Sequence, residues 1–442
     1  MKRKFLFIFL LCFALYAICF AGNGVKAAEP TYSEENGYIL NGSQKCFFAN
    51  GTNVSIEERA DGQSGATIFW EDGTKSVNVP SDINVFGGAH NDSTVYENTK
   101  ITMNGGTVKN LFGGGLHESH VKTAEVILNA GTVTGSIAGG GANVFANSDY
   151  CANSNLPFAN SLTRVENAIV TANNGNAALI YGGGEGNSYT SIANVNINGG
   201  NFDFVTAGGS NGYTGNANLK VTSGQINLLQ SVNRGELVSA DMRVAGGTIN
   251  KLYVGGEEGD TSVTGTIENV SLDITGGAIV TNLYIGTSGG QKIGTAGNNA
   301  KADVDIYKGA TVNIASQNDF ANIKVTNYVF VTINENRFEI EEGKTLADLA
   351  ELENVKNIEG KEFVKFVVKG TDETFEESTV IDNNIELEAI YKDKEIKPVP
   401  TTETDKTPKT GIQDTRRTIP LAIVLVSLII LVTACAFSNK NR

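Results

Sequence analysis

Ile101-Thr102-Met103-Asn104-Gly105-Gly106-Thr107-Val108-Lys109-Asn110-Leu111-Phe112-Gly113-Gly114-Gly115 is the phrase that decides the fold. An alternating apolar run leads into a Gly pair, a second short apolar run follows, and a Gly triplet closes it. The phrase returns as Val126-Ile127-Leu128-Asn129-Ala130-Gly131-Thr132-Val133-Thr134-Gly135-Ser136-Ile137-Ala138-Gly139-Gly140-Gly141. Marker glycines then follow at 175, 200, 224, 247, 277 and 309, so the steps from Gly106 are 25, 44, 25, 24, 23, 30 and 32 residues. Alternation is a strand signal, and a period near 24 without long amphipathic stretches predicts a solenoid of β coils rather than helical repeats. Each coil is expected to hold two or three short strands, with inward residues such as Val108, Leu111, Val126 and Leu128 stacking from coil to coil. At about 4.8 Å per coil, eight repeats make a stack of about 40 Å. The 51 glycines, against 7 prolines, suit corners that need φ > 0 or a close backbone approach.

On these residues the region 83–322 resembles a right-handed parallel β-helix of the pectin-lyase type, and the handedness is what the resemblance implies. Residues 28–82 read as the N-terminal cap, with strands at 45–49, 53–56, 67–70 and 76–79, because an open-ended solenoid must protect its first coil. The 44-residue step holds an insertion at 147–162, with Tyr150, Cys151, Pro157 and Phe158, which must leave the stack as a projecting loop. Beyond Gly309 the pattern changes: strands at 323–334 and 337–340, a helix at 345–352, then strands at 363–369 and 385–391. With Glu342-Gly343-Lys344-Thr345-Leu346 ahead of the helix, residues 323–393 resemble the small β-grasp modules known as internalin-type B-repeats. The overall class is mainly β.

Residues 394–411 read as an extended linker that ends in Thr407-Pro408-Lys409-Thr410-Gly411. An uncharged apolar run at 419–437 follows, long enough to span a bilayer, and then the basic tail 438–442 with Lys440 and Arg442. This order resembles the cell-wall sorting signal of Gram-positive surface proteins, with Thr407 where Leu is usual. The resemblance implies sortase cleavage after Thr410 and linkage to peptidoglycan. At the other end Met1-Lys2-Arg3-Lys4, the apolar 5–21 and Val25-Lys26-Ala27 read as a secretory signal peptide over 1–27. A secreted, wall-anchored protein that spans the membrane only before sorting is expected. Only Cys46 and Cys151 lie outside the signal and the terminal span, which is no disulfide framework, although the two could pair. With 34 Lys+Arg against 48 Asp+Glu the chain repels nucleic acid, but not neutral glycans or proteins.

Chemistry is sparse on the repeats. A β-helix lyase or hydrolase needs paired carboxylates, or an acidic cluster with a base. Asp203, Asp241 and Asp273 are isolated in sequence, and only Asp303 and Asp305 lie two apart on one face. His90 follows Gly87-Gly88 as His117 follows Gly114-Gly115, which places two rings about 5 Å apart on one edge, with His120, Glu118 and Asp92 nearby. These histidines could hold a divalent ion or stand as solvated loop residues. Gly255-Gly256-Glu257-Glu258-Gly259-Asp260 lacks the fourth-position Gly of a Ca²⁺ nonapeptide and occurs once. No cofactor motif is present. Two classes remain: a non-enzymatic adhesin or display rod that binds a host or microbial glycan or protein, and a wall-anchored carbohydrate-active enzyme. A structural surface-layer component is not separable from the first.

Overall fold

The computed structural model describes residues 38–40, 44–90, 94–143, 163–186, 188–233, 235–256, 266–286, 301–317 and 322–394. The expected signal peptide over 1–27, the 147–162 insertion with Cys151, Asp92, Glu257 to Asp260, the expected sorting motif and the apolar 419–437 run all lie outside them. Among the described residues no helix is long and apolar enough to cross a membrane.

Two long sheets form, one of 16 and one of 12 described strands, and along the chain their strands alternate. From Val95–Met103 onward each coil contributes one long strand, nine residues in most coils, to the first sheet and a shorter one to the second. Neighbouring coils pair in parallel and in register, as in Val126 opposite Ile101 and Val170. This is the arrangement of a β-solenoid. A third contact closes the coils from His90 to Asn233, a column of single-residue parallel bridges through His90, Leu116, Ala142, Glu185, Ser210 and Asn233. The expected two or three strands per coil are thus two strands and a bridge.

The alternation read in the sequence sets the core. Val108, Leu111, Val126 and Leu128 are all fully buried in one cluster that runs through the coils. Each such side chain contributes about 1.5–3 kcal/mol when fully buried. The short sheet is also buried on its other face in the early coils, where the rings of Phe48, Phe86 and Phe112 stack at 5.0 and 4.7 Å beside Leu116. Cys46 belongs to that cluster as a free, buried thiol, and burial pushes its pKa up to about 11.

The glycine triplet exists because two backbones meet there. A Cβ on Gly113 would lie 2.4 Å from the Gly139 carbonyl oxygen and 3.0 Å from the Ala124 Cβ. The long strands answer with an inward column of small residues, Ala124, Ala168, Ala193, Ala217 and Ala240.

The N-terminal strands join both sheets in parallel through Gln44–Phe48 and Val54–Glu57 and pair antiparallel with one another beyond them. Tyr38–Leu40 pairs with Gln44–Phe48, and Val54–Glu57, Ala66–Trp70 and Ser76–Val79 form a meander on the long sheet. At the other end Asn322–Ile333 is shared: it pairs in parallel with the last long strand, Lys301–Tyr307, and also with Asn336–Glu341 and Ile385–Asp393 of the terminal module. That module has its own core, including Val331, Leu346, Leu352, Phe366 and Leu387. Its helix departs from expectation. Thr345 and Asp348 close a single 3-10 turn at Leu346–Asp348, Leu349 turns extended at φ −75° and ψ 119°, and the α-helix starts only at Leu352, ending at Lys356.

Candidate binding face

The outer face of the long sheet is built from positions four and six residues before each turn glycine. Four before stand Asn196, Lys220, Arg243, Asp273 and Asp305, and six before stand Ile169, Asn194, Asn218, Asp241 and Asp303. In-register stacking turns these offsets into columns across the coils, and the face divides into three zones.

The first zone is ion-paired. Lys122 meets Glu97 at 2.7 Å, Lys100 meets Glu125 at 2.8 Å, and His120 contacts Glu166 at 3.1 Å. The second is aromatic and amide-rich. The Arg164 guanidinium lies 4.9 Å over the Tyr189 ring, and Tyr189 stacks on Tyr213 at 5.0 Å with 8° between planes. These ring faces are engaged by one another, so the tyrosines offer edges and hydroxyls to solvent. Asn218 donates to Asn194 and Asn194 to Asn167, both at 2.9 Å, while the Ser239 hydroxyl donates to Asn216 at 2.7 Å. Shallow grooves of about 680 and 470 Å³ run over this zone. Ile192 lies in the first with 41% exposure, and Asn196, Lys220 and Arg243 border the second.

The third zone is acidic. Asp273 stands directly opposite Asp305 on the next coil, with Arg243 opposite Asp273 on the other side. Burial raises the Asp273 pKa and the Asp305 charge raises it further; burial likewise raises that of Asp305, against the pull of Lys324. Two carboxylates at adjacent register positions disfavour each other's ionisation. The sequence reading paired Asp303 with Asp305 and left Asp273 isolated. Both Asp273 and Asp305 precede their marker glycine by four, and that shared offset is the signal that finds them. Asp203 is exposed on a short strand, Asn201–Thr206.

The two histidine rings meet on one edge as expected, but their coils align one residue out of step with the glycine count. The backbone bridges His90 to Leu116, so the Gly87-Gly88 pair matches Gly113-Gly114, Ala89 matches Gly115, and His117 lies one residue beyond the bridge at φ +52°. The rings still meet, with centroids 5.3 Å apart and planes tilted by 52°, and the Phe48 ring stacks on His90 at 5.5 Å. Burial lowers the His90 pKa, and burial followed by the His90 charge pushes His117 down to about 4. His120 opens the His120–Leu128 strand on the long-sheet face and turns to Glu166. Among the described residues no three His, Cys, Asp or Glu side chains come together as a metal site. Thr407, Pro408, Lys409, Thr410 and Gly411, expected as the sorting motif, lie outside the described residues.

The chain matches no protein-family model, no curated protein and no solved structure. What the face does must therefore be argued from its chemistry.

Proposed function

We propose that the chain is a secreted, sortase-anchored surface protein of a Gram-positive bacterium, a right-handed parallel β-helix that displays its long-sheet face to a neutral glycan or a protein. The observation that carries the binding reading is the amide zone. Asn218, Asn194 and Asn167 bond in a chain and the Ser239 hydroxyl donates to Asn216, which fixes the orientation of these amides. Fixed amides bind with less ordering loss than mobile ones. Hydroxyl-rich or peptide ligands match such donors and acceptors, whereas the net charge of −14 disfavours polyanions. The anchoring reading rests on the order of Thr407 to Gly411, the apolar run and the basic tail. A small β-grasp-like module and the linker after it would set the face off from the wall.

A second reading, a carbohydrate-active enzyme, is favoured by the Asp273 and Asp305 pair, because carboxyls with raised pKa values suit proton transfer. One panel of soluble polysaccharides and surface proteins separates the two. Binding without shortened chains, weakened in Asn194→Ala/Asn218→Ala, is expected. No retention of any ligand, or retention indifferent to that double change, removes the binding reading. Release of oligosaccharides that stops in Asp273→Asn establishes the enzyme instead. For anchoring, Thr410→Ala is expected to shift the protein from the wall digest to the membrane fraction, and unchanged wall linkage sinks that claim.

A further inference from the structure

Each long strand turns into the following short strand at an edge where three Asn-Gly pairs stand: Asn104-Gly105, Asn174-Gly175 and Asn198-Gly199. Two of these asparagines belong to a ladder that climbs the edge. Asn104 donates to Glu57 at 2.7 Å and accepts from Asn129 at 2.8 Å. Asn173 donates to Asn129 at 2.8 Å, Asn198 donates to Asn173 at 2.9 Å, and the Thr222 hydroxyl donates to Asn198 at 3.1 Å. Asn174 is the exception. It sits one residue past the ladder member of its coil, exposed, with no side-chain hydrogen bond among the described residues, and Gly175 follows at φ +97°.

We propose that Asn174 is a site of spontaneous covalent modification, deamidation through a succinimide, and that the ladder protects its neighbours from the same reaction. The Gly175 backbone nitrogen attacks the Asn174 side-chain carbonyl carbon and forms the new C–N bond. The side-chain nitrogen leaves with the displaced proton as ammonia. Water then opens the ring at either carbonyl and gives isoaspartate or aspartate, so water is the one co-reactant. Glycine is the most permissive successor, since no side chain shields the attacking nitrogen or restricts its approach. An asparagine in the ladder must first break two hydrogen bonds to bring its amide over that nitrogen. At about 0.7 kcal/mol net for each, the low end suited to exposed groups, the two slow the reaction by about tenfold. The product adds a negative charge beside Asn173. In the isoaspartate form it also adds a methylene to the main chain of a tight turn.

The test is a time course of the full chain in warm, mildly alkaline buffer, with isoaspartate and aspartate quantified by peptide mapping at 104, 174 and 198. Position 174 is expected to convert about tenfold faster than the other two, and Asn174→Gln to remove that product. Asn173→Ala deprives Asn198 of its acceptor and is expected to raise conversion at 198 several-fold. Equal rates at the three positions, or a rate at 198 unmoved in Asn173→Ala, would overturn the proposal.

Discussion

Both edges of each coil turn on glycines, but only one of them adds a ladder of side chains. At the glycine edge the turn is possible because side chains are absent: the Gly139 Cα stands so close to the next coil that a Cβ would lie 2.5 Å from the Gly182 oxygen. At the asparagine edge the turn is tied by side chains that are present, in a chain of hydrogen bonds from Thr222 through Asn198, Asn173 and Asn129 to Asn104. A steric requirement fails all at once, whereas a ladder loses one link at a time. The difference fixes the order of expected effects.

The largest is Gly139→Val. Its Cβ meets backbone rather than a flexible side-chain end, so a loss of more than about 4 kcal/mol is expected, read by urea denaturation or as failure to fold. A loss below about 1 kcal/mol would mean that the coils can part at this edge.

Beside the glycine edge stand His90 and His117, both with pKa values below the ordinary range. The unfolded chain therefore binds more protons than the folded one between about pH 6.5 and 4. The stability linked to these rings is complete above that window and falls as pH drops through it. For His117 the swing is about 2 kcal/mol after allowance for its partial exposure. His117→Asn, which places at 117 the residue type found at Asn143 and Asn211, should flatten the wild-type slope in that window. An unchanged slope would show that the rings titrate normally.

At the asparagine edge Asn173→Ala removes a donor to Asn129 and an acceptor for Asn198 and is expected to cost about 1–2 kcal/mol, checked by denaturation. The smallest effect belongs to the ion-paired zone of the outer face. Lys122→Ala loses a partly exposed pair with Glu97, expected to cost under about 1 kcal/mol and to vanish at high salt.

The same contrast explains what could be read in one dimension. Glycine markers announce a coil because a missing side chain constrains the backbone wherever it occurs, and the cap strands and Asn322–Ile333 fell close to their expected places. The exception is Ala89, which stands where later coils have a third glycine and shifted the histidine count by one. The ladder was visible only as an abundance of Asn, since a hydrogen bond across coils links residues 24 or more apart. The Asp273 and Asp305 pair is hidden in one dimension because its column runs across strands, between residues 32 apart in sequence. In the terminal module, Leu349 interrupts the expected helix because the nearby Thr345 and Asp348 close a local turn first.

Register is the claim on which the face, the ladder and the carboxyl pair all depend, and crosslinking tests it directly. Asn194 and Asn218 are register partners on adjacent coils, whereas Lys220 lies two residues further along the same strand. Partners in a parallel pair come within the Cα separation that a disulfide requires, and the diagonal pair does not. Under mild oxidation Asn194→Cys/Asn218→Cys should close a bond found by peptide mapping, and Asn194→Cys/Lys220→Cys should not. Equal crosslinking of both pairs, or closure of the second alone, would contradict the in-register stack.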